Sequence, residues 1–138
     1  MKKTKLNPKG SAELIGAYSH GISVDLGASE MIFVTGQIAM NESGDAIAPD
    51  DIEKQTHYVF ESIQRILKAG NSSMSDVVKA VIYVRNIKDF AKISPIRNHY
   101  FAKSKPVSTL VEINATVKEG CDIEIEVIAI KKSEKNEV

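Results

Sequence analysis

The stretch Asp51-Ile52-Glu53-Lys54-Gln55-Thr56-His57-Tyr58-Val59-Phe60-Glu61-Ser62-Ile63-Gln64-Arg65-Ile66-Leu67-Lys68-Ala69-Gly70 decides the fold. Ile52, Val59, Phe60, Ile63, Ile66 and Leu67 recur at spacings of three, four and seven, so they share one stripe of an α-helix. Asp50 and Asp51 follow Pro49 and offer side-chain oxygens to the unpaired N–H groups of a first helical turn. Lys68 falls in the last turn, and Gly70, followed by Asn71, suits the left-handed position just past a helix end. The spacing predicts a helix over 51–69 with one apolar side.

Working outward, the period changes to that of strands. Gly21-Ile22-Ser23-Val24-Asp25-Leu26 alternates apolar and polar residues, Gly27 to Glu30 is a turn cluster, and Met31 to Ile38 is rich in β-formers. These form a hairpin, in which Gly36 marks a bulge or a close backbone approach. On the other side, Ser72 to Asp76 is a connection, and Val77 to Val84 is a buried strand interrupted only by Lys79 and Ala80. A turn at 86–89 precedes a short helix expected to start at Ser94-Pro95, with Ser94 as cap and Pro95 in the first position. Ile96, Tyr100 and Phe101 give that helix an apolar side, and Pro106 ends the segment. Thr109 to Ile113 and Ile123 to Ile130 are the last two strands, joined by Asn114 to Asp122.

The order β-β-α-β-α-β-β describes an α+β fold, a mixed sheet with two helices on one face. Residues 1–13 read as a loose arm and Lys131 to Val138 as a charged tail. With no repeat and no linker, the expectation is a single domain over 1–138 with its core at 15–130. Val81-Ile82-Tyr83-Val84 is apolar at both parities, so the sheet face away from the helices is apolar too and needs a cover. A homo-oligomer supplies one.

Composition narrows the function. Lys+Arg and Asp+Glu are both 18, which argues against nucleic-acid binding by bulk charge, and Trp is absent, which weakens a base-stacking platform. Cys121 is the single cysteine, so neither an internal disulfide nor a cysteine metal cluster is expected. The N-terminal lysines run into Pro8 and Gly10 rather than into an apolar stretch, and no apolar run approaches membrane-spanning length. The expectation is a cytoplasmic protein without a membrane partner.

Several stretches, in order along 15–130, resemble the YjgF/reactive-intermediate deaminase (Rid) family, also called the endoribonuclease L-PSP family. Ile15-Gly16-Ala17-Tyr18-Ser19-His20 is similar to its I-G-P-Y-S-Q opening, with Ala17 and His20 as departures. Phe33-Val34-Thr35-Gly36-Gln37-Ile38 is similar to its F-V-S-G-Q-I strand. Asp51 to Thr56, Ser75 to Lys79, Asp89-Phe90-Ala91, Val111-Glu112-Ile113 and Ile123 to Ala129 follow the rest of its pattern. The resemblance implies a chorismate-mutase-like fold and a homotrimer with small-molecule clefts between subunits. It also implies hydrolysis of reactive enamines and imines to keto acids and ammonia, without a cofactor.

It implies site residues as well. Glu124 matches the glutamate beside the reactive water, and Glu126 shares its parity. Tyr18 matches a cleft tyrosine, Thr35 and Gly36 a backbone site beside the ligand, and Ser94 a ligand-side asparagine. In the active branch a P-A-R-S-C/T-V-E segment carries the arginine that grips the substrate carboxylate. Here Pro106-Val107-Ser108-Thr109-Leu110-Val111-Glu112 puts Ser108 at the arginine and Leu110 at the Cys/Thr position. A serine donates one hydrogen bond and cannot neutralise a carboxylate, so the usual 2-imino acids should bind poorly.

Other residues are weighed on their own chemistry. His20, two residues after Tyr18, could add an acid or base to the cleft, although a lone histidine at a strand start is usually solvated. Arg85 and Arg97 could replace the lost cation from another direction. His57 and His99 have no partner at metal-ligand spacing, so no metal site is expected, and nothing beside Cys121 marks it as a nucleophile. The leading expectation is a deaminase-like hydrolase. Its rivals are a non-catalytic small-molecule-binding or stress-related trimer and an endoribonuclease, the latter disfavoured by neutral charge and the lack of a histidine pair.

Overall fold

The structure is a computed structural model that describes residues 1–134. Its elements are β1 (Lys3–Leu6), β2 (Gly21–Asp25), β3 (Ser29–Ile38), α1 (Ile52–Ala69), β4 (Val77–Val84), α2 (Phe90–Tyr100), β5 (Val107–Glu112) and β6 (Ile123–Lys132). They make one sheet of order β1-β2-β3-β6-β4-β5. All neighbours are antiparallel except β4 and β5, which run parallel because α2 carries the chain back between them. No helix among the described residues is long and apolar enough to cross a membrane.

Helix α1 forms as its period predicts. Asp51 caps it, its carboxylate accepting from the Lys54 N–H at 3.1 Å, and Val59, Phe60, Ile63, Ile66 and Leu67 are fully buried against the sheet. The same stripe carries Gln55, also fully buried, whose amide donates to the carbonyls of Ile47 and Gly120 and accepts from the Asp122 N–H. One side chain thus ties two loops to the helix start. The helix end differs from expectation. Gly70 has φ −98°, and Asn71 takes the left-handed turn at φ 58°. Gly70 is closely packed instead: a β-carbon there would sit 3.0 Å from Ile32 Cδ1 and Leu6 Cδ1.

That contact explains a second correction. Residues 1–13 are not wholly a loose arm, because Lys3–Leu6 pairs with β2 and buries Leu6 in the core. The short helix also starts earlier than Ser94-Pro95. Asn86 accepts from the Lys88 N–H and sets a 3-10 turn at Ile87–Asp89 that runs into α2 at Phe90. Ile93, fully buried, anchors this helix, and Pro95 lies inside it. Ser94 is therefore mid-helix and caps nothing. Of the expected charged tail, Lys131 and Lys132 belong to β6, and Lys131 pairs with Glu30 at 3.1 Å; residues 135–138 lie outside the described residues.

Both helices cover one face of the sheet. The face away from them carries Ile22, Phe33, Val81, Val111, Ile128 and Ile130. Phe33 is 42% exposed, and Val111 and Ile130 are each 40% exposed. Hydrophobicity at both strand parities therefore leaves an apolar open face, as anticipated.

Candidate active site

The site begins with the bulge in β3. Val34 pairs with Val127 and Gln37 with Ile125, so Thr35 and Gly36 together oppose the single residue Glu126. The extra residue reverses parity, so the polar Gln37 turns inward and is 5% exposed. Gly36 then lies beneath Glu124: a β-carbon at Gly36 would collide with Glu124 Oε2 and sit 2.8 Å from its carboxyl carbon. A side chain here would force that carboxylate aside.

The inward turn of Gln37 builds a buried chain of hydrogen bonds. Ser62 Oγ donates to Gln37 Oε1 at 2.8 Å, and Gln37 Nε2 donates to the Thr35 carbonyl at 2.9 Å and to His20 Nδ1 at 3.3 Å. His20 Nε2 donates to the Ala12 carbonyl at 2.7 Å, and the His20 N–H donates to Asn7 Oδ1 at 2.8 Å. Both ring nitrogens are thus engaged, and His20 is only 6% exposed. The expectation of a solvated histidine fails; the ring clamps the N-terminal segment against the bulge. Thr35 Oγ1 donates to the Ser19 carbonyl at 2.7 Å. Tyr18 is 47% exposed, with its ring centroid 6.4 Å from that of His20 in an edge arrangement.

Tyr18, His20, Thr35, Gly36 and Glu124 line one cavity of about 70 Å³, together with Ala12, Gln37, Ile38, Met40 and Val117. That is room for a few water molecules but not for a whole amino-acid-sized ligand within one chain. Burial, and then the neighbouring charge of Glu126, hold the Glu124 carboxyl above its ordinary value of 4.5. Glu126 accepts from Tyr83 Oη at 2.5 Å, and this bond, with burial and the charge of Glu126, pushes the phenol up to about 12. Tyr83 stands opposite Glu124 in the β4–β6 register, so three ionisable groups share the open face.

The remaining candidates lie elsewhere in the chain. Ser108 and Leu110 pair with Ala80 and Ile82, on the helix side of the sheet; Leu110 packs against the core. Ser108 lines a separate groove with Arg97, Asn98, Phe101 and Lys105. Ser94 Oγ accepts from Arg97 Nη2 at 3.1 Å. Arg85 ties two loop residues, pairing with Asp122 at 3.2 Å and donating to the Asn114 carbonyl. Cys121 is fully buried, its thiol pushed up first by burial and then by Asp122. His57 lies 3.1 Å from Tyr100 Oη, and no group of three His, Cys, Asp or Glu among the described residues could hold a metal ion. Gln37, Met40 and Val117 in the cavity wall went unforeseen; the bulge at Gly36 signalled the first, through its reversed parity.

The described family model Endoribonuclease L-PSP matches residues 10–131. A RutC family protein of Pyrococcus abyssi is 39% identical over 86% of this chain and 89% of its own. The 2-iminobutanoate/2-iminopropanoate deaminase of Rattus norvegicus is 32% identical over 85% of this chain and 82% of its own. Among solved structures, E. coli TdcF with bound serine superposes with a TM-score of 0.78 at 26% identity, covering 93% of this chain and 98% of that one.

Proposed function

The chain belongs to the endoribonuclease L-PSP family, and from that premise we propose that it is a cofactor-independent hydrolytic deaminase of the Rid type, acting on a small reactive enamine, imine or amine. The observation that carries this reading is Glu124, a half-buried carboxyl held above its ordinary value over Gly36 in the wall of a cavity. Hydrolysis of an imine needs a group that takes a proton from water as its oxygen attacks the C=N carbon. The same group returns the proton to the nitrogen, and the resulting amino alcohol collapses to a carbonyl and ammonia. One carboxylate with a raised pKa serves both steps. Tyr18, exposed at the cavity mouth, covers the ligand.

A single chain gives Glu124 too little wall to hold a substrate, and the open sheet face is apolar. Both features support one domain assembled as a homotrimer, with the cleft completed by a neighbouring subunit. The serine in the structure of TdcF has the size expected of such a substrate. Ser108 in place of the arginine disfavours simple 2-imino monocarboxylic acids. The lone, buried Cys121 suits the cytoplasm.

The test is a panel of imines generated in place from amino acids by a dehydratase or an oxidase, with release of carbonyl product and ammonia followed over time. Turnover of one panel member, lost in Glu124→Gln, is the expected result. Binding without turnover across the panel, measured by calorimetry, would replace the enzyme with a ligand-binding trimer.

A further inference from the structure

The buried hydrogen bonds around His20 fix which of its ring nitrogens carries the proton. Gln37 reaches the Thr35 carbonyl at 2.9 Å, and a carbonyl only accepts, so that end of the Gln37 side chain is its NH2 group. The same nitrogen meets His20 Nδ1 at 3.3 Å, which makes Nδ1 the accepting nitrogen of the neutral ring. The ring proton is therefore on Nε2, facing the Ala12 carbonyl at 2.7 Å, another group that only accepts. Ser62, Gln37 and His20 are all buried within one chain, so this series of bonds owes nothing to a neighbouring subunit.

The bond from His20 to Ala12 closes a loop at its neck. Between these two residues the chain has no helix or strand, and Glu13 and Ile15 to Tyr18 are exposed. Other bonds fasten the same end of the loop. The His20 N–H donates to Asn7 Oδ1 at 2.8 Å, the Thr35 N–H donates to the His20 carbonyl at 2.8 Å, and Thr35 Oγ1 donates to the Ser19 carbonyl at 2.7 Å. These three use backbone groups of Ser19 and His20 and survive a change of side chain at position 20; the ring's bond to Ala12 does not. Tyr18 rides on the loop two residues from the neck, and it lines the same cavity as Glu124. A loop closed at its neck has fewer conformations to give up when it covers a ligand.

We propose that His20 is a positioning residue, not an acid or base: by closing the neck of the 12–20 loop it holds Tyr18 over the Glu124 cavity before a ligand arrives. Both ring nitrogens are engaged, which leaves the ring neither a proton nor a lone pair to exchange with a ligand. With the neck open, the ligand has to order the loop as it binds. Binding then weakens in the ground state and the transition state alike, and the chemical step stays with Glu124. The effect on turnover rests on the deaminase reading; the closure of the loop does not.

Three variants of the full-length protein separate the bonds: in His20→Gln an amide N–H stands where Nε2 stood, His20→Asn reaches only the Nδ1 position, and His20→Ala reaches neither. The first measurement is NMR at mildly alkaline pH without ligand. The parent ring should show a protonated Nε2 and a bare Nδ1, a result that needs no variant; the reverse tautomer overturns the role. The Tyr18 amide should be ordered in the parent and in His20→Gln. In His20→Asn and His20→Ala it should become mobile on the ps–ns scale while the amides of β3 and β6 stay in place. A Tyr18 that stays ordered in those two variants overturns the closure even if no imine is turned over, so the two readings fail separately. The second measurement uses whichever imine of the panel is turned over. KM should rise about tenfold or more in His20→Asn and His20→Ala with kcat within about threefold of the parent, and His20→Gln should recover KM. A fall in kcat at unchanged KM makes His20 an acid or base and overturns the proposal. A lowered melting temperature with Tyr18 and KM unmoved reduces His20 to support of the core and overturns it as well.

Discussion

The carboxylate of Glu124 occupies the space that a side chain at Gly36 would fill, so the bulge in β3 and the acid on β6 depend on each other. Gly36 does not have a positive φ, so its backbone tolerates alanine and only the carboxylate has to move. Gly36→Ala is therefore expected to keep the fold, at a cost below about 1 kcal/mol, while turnover falls at least tenfold, about 1.4 kcal/mol in the barrier. In a Glu124→Ala background the same change should be nearly silent, and that non-additivity is the measurement that checks the coupling.

Glu124→Gln is expected to lower turnover by about a hundredfold or more, the scale of a positioned acid or base. Turnover by the parent requires the carboxylate, whose pKa is raised, so the rate should fall with decreasing pH through a midpoint above 4.5. Glu126→Gln removes the second cause of that rise and should move the midpoint down. The stability effect has the opposite sense. A raised folded value means that stability is lost as pH rises through it. Glu124→Gln should consequently be at least as stable as the parent at neutral pH, with the difference closing below 4.5. Rate-pH profiles and thermal melts at two pH values check both halves.

Gln55 is expected to matter for stability rather than chemistry. Gln55→Met keeps most of the volume but strands the carbonyls of Ile47 and Gly120 and the Asp122 N–H. The expected loss is about 3 kcal/mol, since a buried group left unpaired costs about 1–3 kcal/mol. Urea unfolding should show a lower midpoint with an unchanged slope.

The apolar open face needs a cover, and the homotrimer implied by the family resemblance makes three chains per particle the expected result in sedimentation. Phe33→Glu puts a charge at its centre, on a residue already 42% exposed in the single chain, so the monomer should fold but not assemble. Folded monomer with lost turnover is the outcome that the proposed shared cleft expects, since one chain alone offers only about 70 Å³ at Glu124. A parent protein that sediments as a stable monomer would defeat both expectations.

What the sequence determined by itself was whatever a local period records. The stripe from Ile52 to Leu67 is a helix wherever it is placed, because helical spacing and an aspartate cap are properties of contiguous residues. The double-parity strand at Val81 to Val84, and with it the apolar open face, is legible for the same reason.

Tertiary structure decided the rest. Lys3–Leu6 carries too little pattern to be read as a strand; it becomes one because β2 offers an edge and Gly70 leaves room for Leu6. Ser94-Pro95 has the chemistry of a helix start, but Asn86 and the buried Ile93 begin that helix a turn earlier. His20 looked solvated until the bulge at Gly36 turned Gln37 inward to meet it. The gathering of Tyr18, Thr35 and Glu124 at one cavity, and the removal of Ser108 to another beside Arg97, follow from strand order. Strand order is set by which surfaces bury together across the whole chain, and no local period encodes it.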